Sequence, residues 1–210
     1  MNFEITIFVF DGLTALDAIG PYDALRRLPG TSIRFAAMKP GLVFTGGGAL
    51  SLDAPVALEE IDRTDLLLLP GGEGSAIRGL IGSEPFLAAV RRLHAMTRWT
   101  ASVCTGTLLL AATGLLAGAQ ASTHWRAKDA LARFGAVYSP DRVSVAGKII
   151  TAAGVSAGVD LGIRLCEMIA GSETAKAVQL AMEYYPSPPY RLGRPEDEPV
   201  LAELVAKQLR

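Results

Sequence analysis

Cysteine, histidine and surplus charge are all scarce in this chain. Its 210 residues carry 20 Lys and Arg against 21 Asp and Glu, a formal net charge of −1. No bulk electrostatic pull toward nucleic acid or an anionic membrane follows from that balance. The two histidines, His94 and His124, lie far apart in sequence. Without clustered Cys, His and Asp ligands, no metal site is expected. Long apolar runs are missing as well; the stretch Thr107 to Leu116 is too short to span a bilayer. The N-terminal segment MNFEITIFVFDG has an acidic residue within its apolar stretch and no basic leader. It does not read as a signal peptide, and a cytoplasmic location is expected. The two cysteines, Cys104 and Cys166, are then expected to be reduced rather than bridged. Also lacking are Gly-x-Gly-x-x-Gly between a strand and a helix, and Gly-x-x-x-x-Gly-Lys. Neither a nicotinamide nor an ATP cofactor is supported, and no cofactor is expected.

What is abundant is apolar sequence, half of the residues, enough to bury a substantial core in one α/β domain. Strand-like and helix-like segments alternate. EITIFVF (Glu4 to Phe10) reads as a buried first strand, and TALDAIGPYDALRRL as a helix that Pro21 starts or kinks. SIRFAAM is a second strand, and LVFTGGGALSLD a hairpin around Gly46 to Gly48. TDLLLLPGG is a short apolar run of the kind covered on both faces in parallel sheets. A helix over Glu84 to Thr97 precedes a strand ending at Cys104. HWRAKDALARFG reads as an amphipathic helix stopped by Gly135, and RVSVAGKIITAAG as two strands around Gly147. Helices are expected over Val155 to Ala170 and Ser172 to Met182, with a last one over VLAELVAKQLR. The reading is a single domain over residues 1–190, followed by a proline-rich tail and short helix over 191–210. The alternation predicts a doubly wound parallel sheet with helices on both faces. Ligands in that architecture bind beyond the carboxyl ends of the strands, so the loops carrying Asp17, Gly71 and Gly72, and Cys104 and Thr105 should converge.

The stretch WTASVCTGTLLLAATGLL (Trp99 to Leu116) places Cys104 where a strand turns into a helix. Such an elbow projects a side chain out of the sheet, and Gly106 gives helix and strand room to pass. The start of the following helix offers unpaired N–H groups and a positive dipole end, which predicts a Cys104 pKa below that of a free cysteine. Cys166, on an apolar helix pattern, reads as a core filler. PGGEGS (Pro70 to Ser75) lets the backbone come close, and an inward-pointing Gly72 N–H, with that of Thr105, is expected to stabilise charge developing on a substrate. No histidine follows the cysteine; the next residue is Thr105. His124, in STHW, either approaches from the side or is a hydrogen-bonded structural histidine. Asp17, in LDAIGPYDAL, either satisfies the start of its own helix or serves as an acid. In the second case a neighbouring thiolate would make it hold its proton more tightly.

Together, PGG after an apolar strand, the SVCTG elbow, LDAIGPYDAL and STHW resemble the ThiJ/PfpI superfamily over about Ile5 to Tyr190. The resemblance implies a class I glutamine amidotransferase-like, flavodoxin-like fold. The isocyanide hydratases within that group are the nearest in pattern; their late QLxxEYxPxPP segment is similar to VQLAMEYYPSPPY here. By this resemblance Cys104 is the nucleophile and Asp17 the acid and base. The backbone of Gly72 and Thr105 lines the charge-stabilising pocket, and Gly71, His124 and Val155 are expected beside the substrate. The expected reaction is thiolate attack on the terminal isocyanide carbon, protonation by Asp17 to a thioimidate, addition of water and release of a formamide. A small-molecule substrate, water and a homodimer are the implied partners, with no nucleic acid and no membrane. Protease-like and deglycase-like members usually have His after the cysteine, where this chain has Thr105. AraC-type regulators add paired helix-turn-helix units after such a module, and the residues following the proline-rich segment leave room for one short helix. Two alternatives use the same thiol: a redox or ligand sensor without turnover, and an amide or ester hydrolase, for which no histidine is obviously placed.

Overall fold

The computed structural model describes residues 2–208. The first strand, β1 (Phe3–Phe8), is followed by α1 (Ala15–Leu25), β2 (Thr31–Ala37) and a hairpin of β3 (Gly41–Phe44) and β4 (Ser51–Ala54). After a two-residue β5 (Val56–Ala57) come β6 (Leu66–Leu69), α2 (Gly74–Ile81), α3 (Glu84–Met96), β7 (Trp99–Val103) and α4 (Gly106–Ala112). The second half runs β8 (Gln120–Ala121), α5 (Lys128–Arg133), β9 (Val137–Tyr138), β10 (Val143–Ala146), β11 (Ile149–Ala152), α6 (Ala157–Ala170), α7 (Ser172–Ala181) and α8 (Pro199–Gln208). Leu209 and Arg210, which the sequence reading included in the last helix, lie outside the described residues. None of the described helices is long and apolar enough to cross a membrane.

The main sheet has seven strands in the order β10-β11-β7-β6-β1-β2-β5. All its pairings are parallel except β10 with β11. Burial explains the apolar runs: all four leucines of β6 are inaccessible to solvent, as expected of a strand flanked on both sides and covered on both faces. The chain steps one way from β1 to β2 through α1, and the opposite way from β6 to β7 through α2 and α3. Right-handed crossovers then put those helices on opposite faces. α6 returns to pack against α1, its most extensive helix partner. The reversal falls between β1 and β6, the point at which open α/β sheets form a crevice.

Three local expectations are corrected. α1 does not start at Pro21, which lies inside the helix; the buried ring packs where Gly158 of α6 has no side chain. The segment between Gly72 and Glu84, to which the sequence reading gave no element, contains α2. The HWRAKDALARFG helix is shorter than expected: a 3-10 turn over Trp125–Ala127 precedes α5.

One glycine governs how the sheet meets the elbow helix. A Cβ added at Gly106 would lie 2.2 Å from the Leu69 carbonyl oxygen and 2.7 Å from the Pro70 carbonyl carbon. Both are backbone atoms at the end of β6, with no rotamer to yield. Gly106→Ala is therefore expected to cost roughly 3 kcal/mol, the upper range for overpacking, read as a fall in denaturation midpoint with an unchanged slope.

Candidate active site

Cys104 sits between the last residue of β7 and the first of α4 with φ 59°. That left-handed conformation costs a non-glycine residue about 1–2 kcal/mol, so the surroundings must hold it. They do so through its backbone. The Cys104 N–H donates to the carbonyls of Ala152 (3.2 Å) and Ala153 (3.0 Å) at the end of β11. Its carbonyl accepts from the Thr123 hydroxyl at 2.8 Å. The residue is 5% exposed.

Asp17 lies in the first turn of α1 and is fully buried. Its carboxyl does not cap its own helix. Oδ2 accepts the Gly71 N–H at 2.9 Å, which draws the side chain across to the loop after β6. Oδ1 is buried without a hydrogen bond of normal geometry. Burial pushes the Asp17 pKa up from 3.8 to about 7, against the opposing pull of the Gly71 N–H and the Cys104 thiol. The rise expected from the sequence is present, but desolvation causes it rather than a thiolate neighbour.

The expected fall in the Cys104 pKa is overturned. Burial, and next the charge of Asp17, push it from 9.0 up to about 12. The Val155 N–H and the Thr105 N–H and hydroxyl oppose that rise without cancelling it. The physical reason is that a seven-residue helix and three donors do not replace the water that burial removes. At neutral pH the resting pair is a thiol beside a carboxyl group that holds its proton far more tightly than an ordinary aspartate.

The two glycines after β6 are spent on structure in a way the sequence did not predict. The Gly72 N–H, expected to point into the pocket, donates to Thr105 Oγ1 at 3.0 Å. The same hydroxyl lies 3.3 Å from the Gly72 carbonyl. Gly71 has no room for a side chain: an added Cβ would come within 2.5 Å of Thr105 Oγ1 and 2.9 Å of Asp17 Oδ2. Gly71, Gly72, Thr105, Asp17 and Cys104 thus meet at one end of the sheet.

His124 is not hydrogen-bonded to Cys104 or Asp17 among the described residues. Its Nδ1 accepts the Arg126 N–H at 3.3 Å, and its ring stacks on Trp125 with centroids 5.6 Å apart. It also fills the space that a Gly154 side chain would occupy. Burial, then Arg126, lower its pKa, which leaves it neutral. Val155, expected to form a wall, reaches the sulfur with its backbone N–H and adopts φ 29°. Two contributors escaped the sequence reading. Thr123 touches the elbow, although STHW drew attention to its histidine. The Val155 amide escaped because a backbone donor leaves no residue signature; only the preceding TAAG turn pointed to that position.

Comparison with known proteins places the fold. The model of the DJ-1/PfpI family matches residues 4–168. The chain is 36% identical to an isonitrile hydratase from Pseudomonas putida, over 95% of this chain and 86% of that protein. A crystal structure of a ThiJ/PfpI family protein from Pseudomonas syringae superposes with a TM-score of 0.91 at 31% identity, covering 99% of this chain and 87% of that one. Drosophila melanogaster DJ-1beta shares the fold alone, with a TM-score of 0.79 at 20% identity over 89% of this chain and all of that one. A crossover sheet ending in a strained cysteine elbow, matched over most of its length by that model, makes this chain a member of the DJ-1/PfpI family.

Proposed function

We propose that the protein is a cofactor-free isocyanide hydratase, converting an isocyanide and water to an N-substituted formamide. The observation that carries the reading is a fully buried carboxyl group, Asp17, beside the elbow thiol of Cys104, with no histidine bonded to either. The likeness to an isonitrile hydratase over nearly the whole chain supports it.

The sequence of events follows from the two pKa values. Burial holds the proton on the Cys104 thiol more tightly than Asp17 would hold it, so moving it to Asp17 ahead of attack is uphill. Attack and proton transfer are therefore concerted. The Asp17 carboxylate takes the thiol proton as sulfur bonds to the terminal carbon, then delivers it to that carbon, giving a thioimidate, R–N=CH–S–Cys. The carboxylate next takes a proton from water as the hydroxyl adds to the same carbon, and passes it to nitrogen. The C–S bond breaks, the hydroxyl proton returns to sulfur through Asp17, and R–NH–CHO leaves. One carboxyl group serves as base and acid in turn, with no net proton consumed.

Access favours this substrate class. The isocyano group is linear and ends in a single carbon, so it suits end-on approach to a cysteine that is only 5% exposed. A planar amide needs more room, an acid for its leaving group and free N–H donors, whereas the Gly72 N–H is already engaged. A thiol held near 12 is also a poor peroxide sensor, since the thiolate is what oxidises. The test is direct. With a simple aryl isocyanide, loss of the isocyanide infrared band should be matched mole for mole by the formamide. Consumption no faster than in buffer would refute the reading.

A further inference from the structure

Three non-glycine residues among those described have a left-handed backbone: Cys104 (φ 59°), Val155 (φ 29°) and Glu183 (φ 50°). One continuous set of contacts joins them. Glu183 turns the chain after α7 so that Tyr184 faces α6, where its hydroxyl donates to Asp160 Oδ1 at 3.2 Å. The other carboxylate oxygen of Asp160 accepts from Arg142 Nε at 2.5 Å. The same guanidinium reaches Ser156 Oγ through Nη2 at 3.1 Å. Ser156 follows Val155, whose N–H bears on the Cys104 sulfur. Arg142 also grips the other end of this turn, because its carbonyl accepts the Ala153 N–H at 3.0 Å. Ala153 in turn accepts from the Cys104 N–H.

A β-branched residue does not adopt φ 29° unless its neighbours over-determine it. Arg142 brackets residues 153–156 from both sides, by main chain and by side chain. We propose that Arg142 is a positioning residue for Cys104: held by Asp160 and Tyr184, it fixes Ser156 so that the Val155 N–H stays on the sulfur. This gives Tyr184 a purpose that the reaction itself does not. The planar fork matters, since one cation must meet Asp160 and Ser156 in two directions at once. The contacts are half-exposed, and ion pairs of that kind add little to global stability. Their effect should be local to the turn, and separable from unfolding.

The inference rests on Cys104 being the reactive thiol and not on the isocyanide. Its test uses iodoacetamide, with modification of the Cys104 peptide followed by mass spectrometry from pH 6 to 9.5. Arg142→Met should slow alkylation roughly five- to ten-fold at every pH in that range. That shift corresponds to raising the thiol pKa by up to about one unit on loss of one hydrogen bond to the thiolate. Ser156→Ala keeps the Arg142–Asp160 pair and should shift the profile in the same direction, with melting temperatures of both variants within a few degrees of the parent. A profile for Arg142→Met that overlies the parent would overturn the proposal. So would a wild-type profile for Ser156→Ala, which also decides the matter if Arg142→Met does not fold. Because no isocyanide is involved, the positioning role can fail while hydration stands, and the reverse.

Discussion

Replacing Cys104 by alanine is expected to abolish formamide production, and replacing it by serine nearly so. Alanine removes the atom that bonds to carbon. Asp17 then has only water to activate, against a substrate carbon no longer held covalently, and a loss of at least ~10⁴-fold is expected from removing the nucleophile of a concerted pair. Serine is the sharper test because it keeps shape and hydrogen bonding. An alcohol holds its proton far more tightly than even the buried thiol, so a carboxylate with a pKa of about 7 cannot move that proton at a useful rate. Neither change should unfold the protein. Alanine and serine suffer the same left-handed strain as cysteine, and the lost packing is one atom at a site 5% exposed, worth no more than about 1–2 kcal/mol. Acid-quenched parent enzyme should carry one substrate mass on the Cys104 peptide, and both variants none. Turnover by the serine variant within ten-fold of the parent would remove sulfur from the mechanism.

Much of the site was legible because its residues stand at chain positions with strong local signals. The run Leu66–Leu69 broken by Pro70, Gly71 and Gly72 marks the end of β6. The extended Trp99–Val103 meeting Cys104, Thr105 and Gly106 marks the elbow. Asp17 follows a buried strand by a short turn. Helix α2 was missed because glycines at 71, 72, 74 and 79 hide a pattern in which Ile77 alone is buried. What sequence could not show was the balance between desolvation and hydrogen bonding at Cys104. The helix start and its donors are local and visible. The burial that outweighs them comes from segments distant in sequence, Asp17 in α1 and the turn after β11 among them. The same limit hid the use of Gly72: its N–H is satisfied by Thr105, a pairing made only when β6 and β7 lie side by side. Arg142 carried no signal at all, since its importance is a matter of two directions in space rather than of neighbours in the chain.

Asp17→Asn is expected to lower hydration about 10³-fold and, above pH 7, to make the fold more stable. The amide keeps the shape and can accept the Gly71 N–H, but it can neither take the thiol proton nor return it, and loss of a proton-transfer group costs about 10²–10⁴-fold. The stability effect has a definite sign. Folded Asp17 holds its proton up to about pH 7, against 3.8 as the ordinary value. Between those values the folded state binds more protons than the unfolded one. The aspartate's contribution therefore becomes less favourable as pH rises from about 4 to about 7 and is constant beyond, by on the order of 4 kcal/mol in all. Asparagine has no such dependence. In chemical denaturation the variant's advantage over the parent should widen by roughly 2–3 kcal/mol between pH 5 and pH 8. A difference that stays constant over that range would mean that Asp17 does not hold a proton with the raised affinity its burial dictates, and the concerted transfer would lose its base. A variant slower in turnover yet sturdier at pH 8 would show a buried charge maintained against the interest of the fold. That is the pattern expected where chemistry, rather than packing, retains the residue.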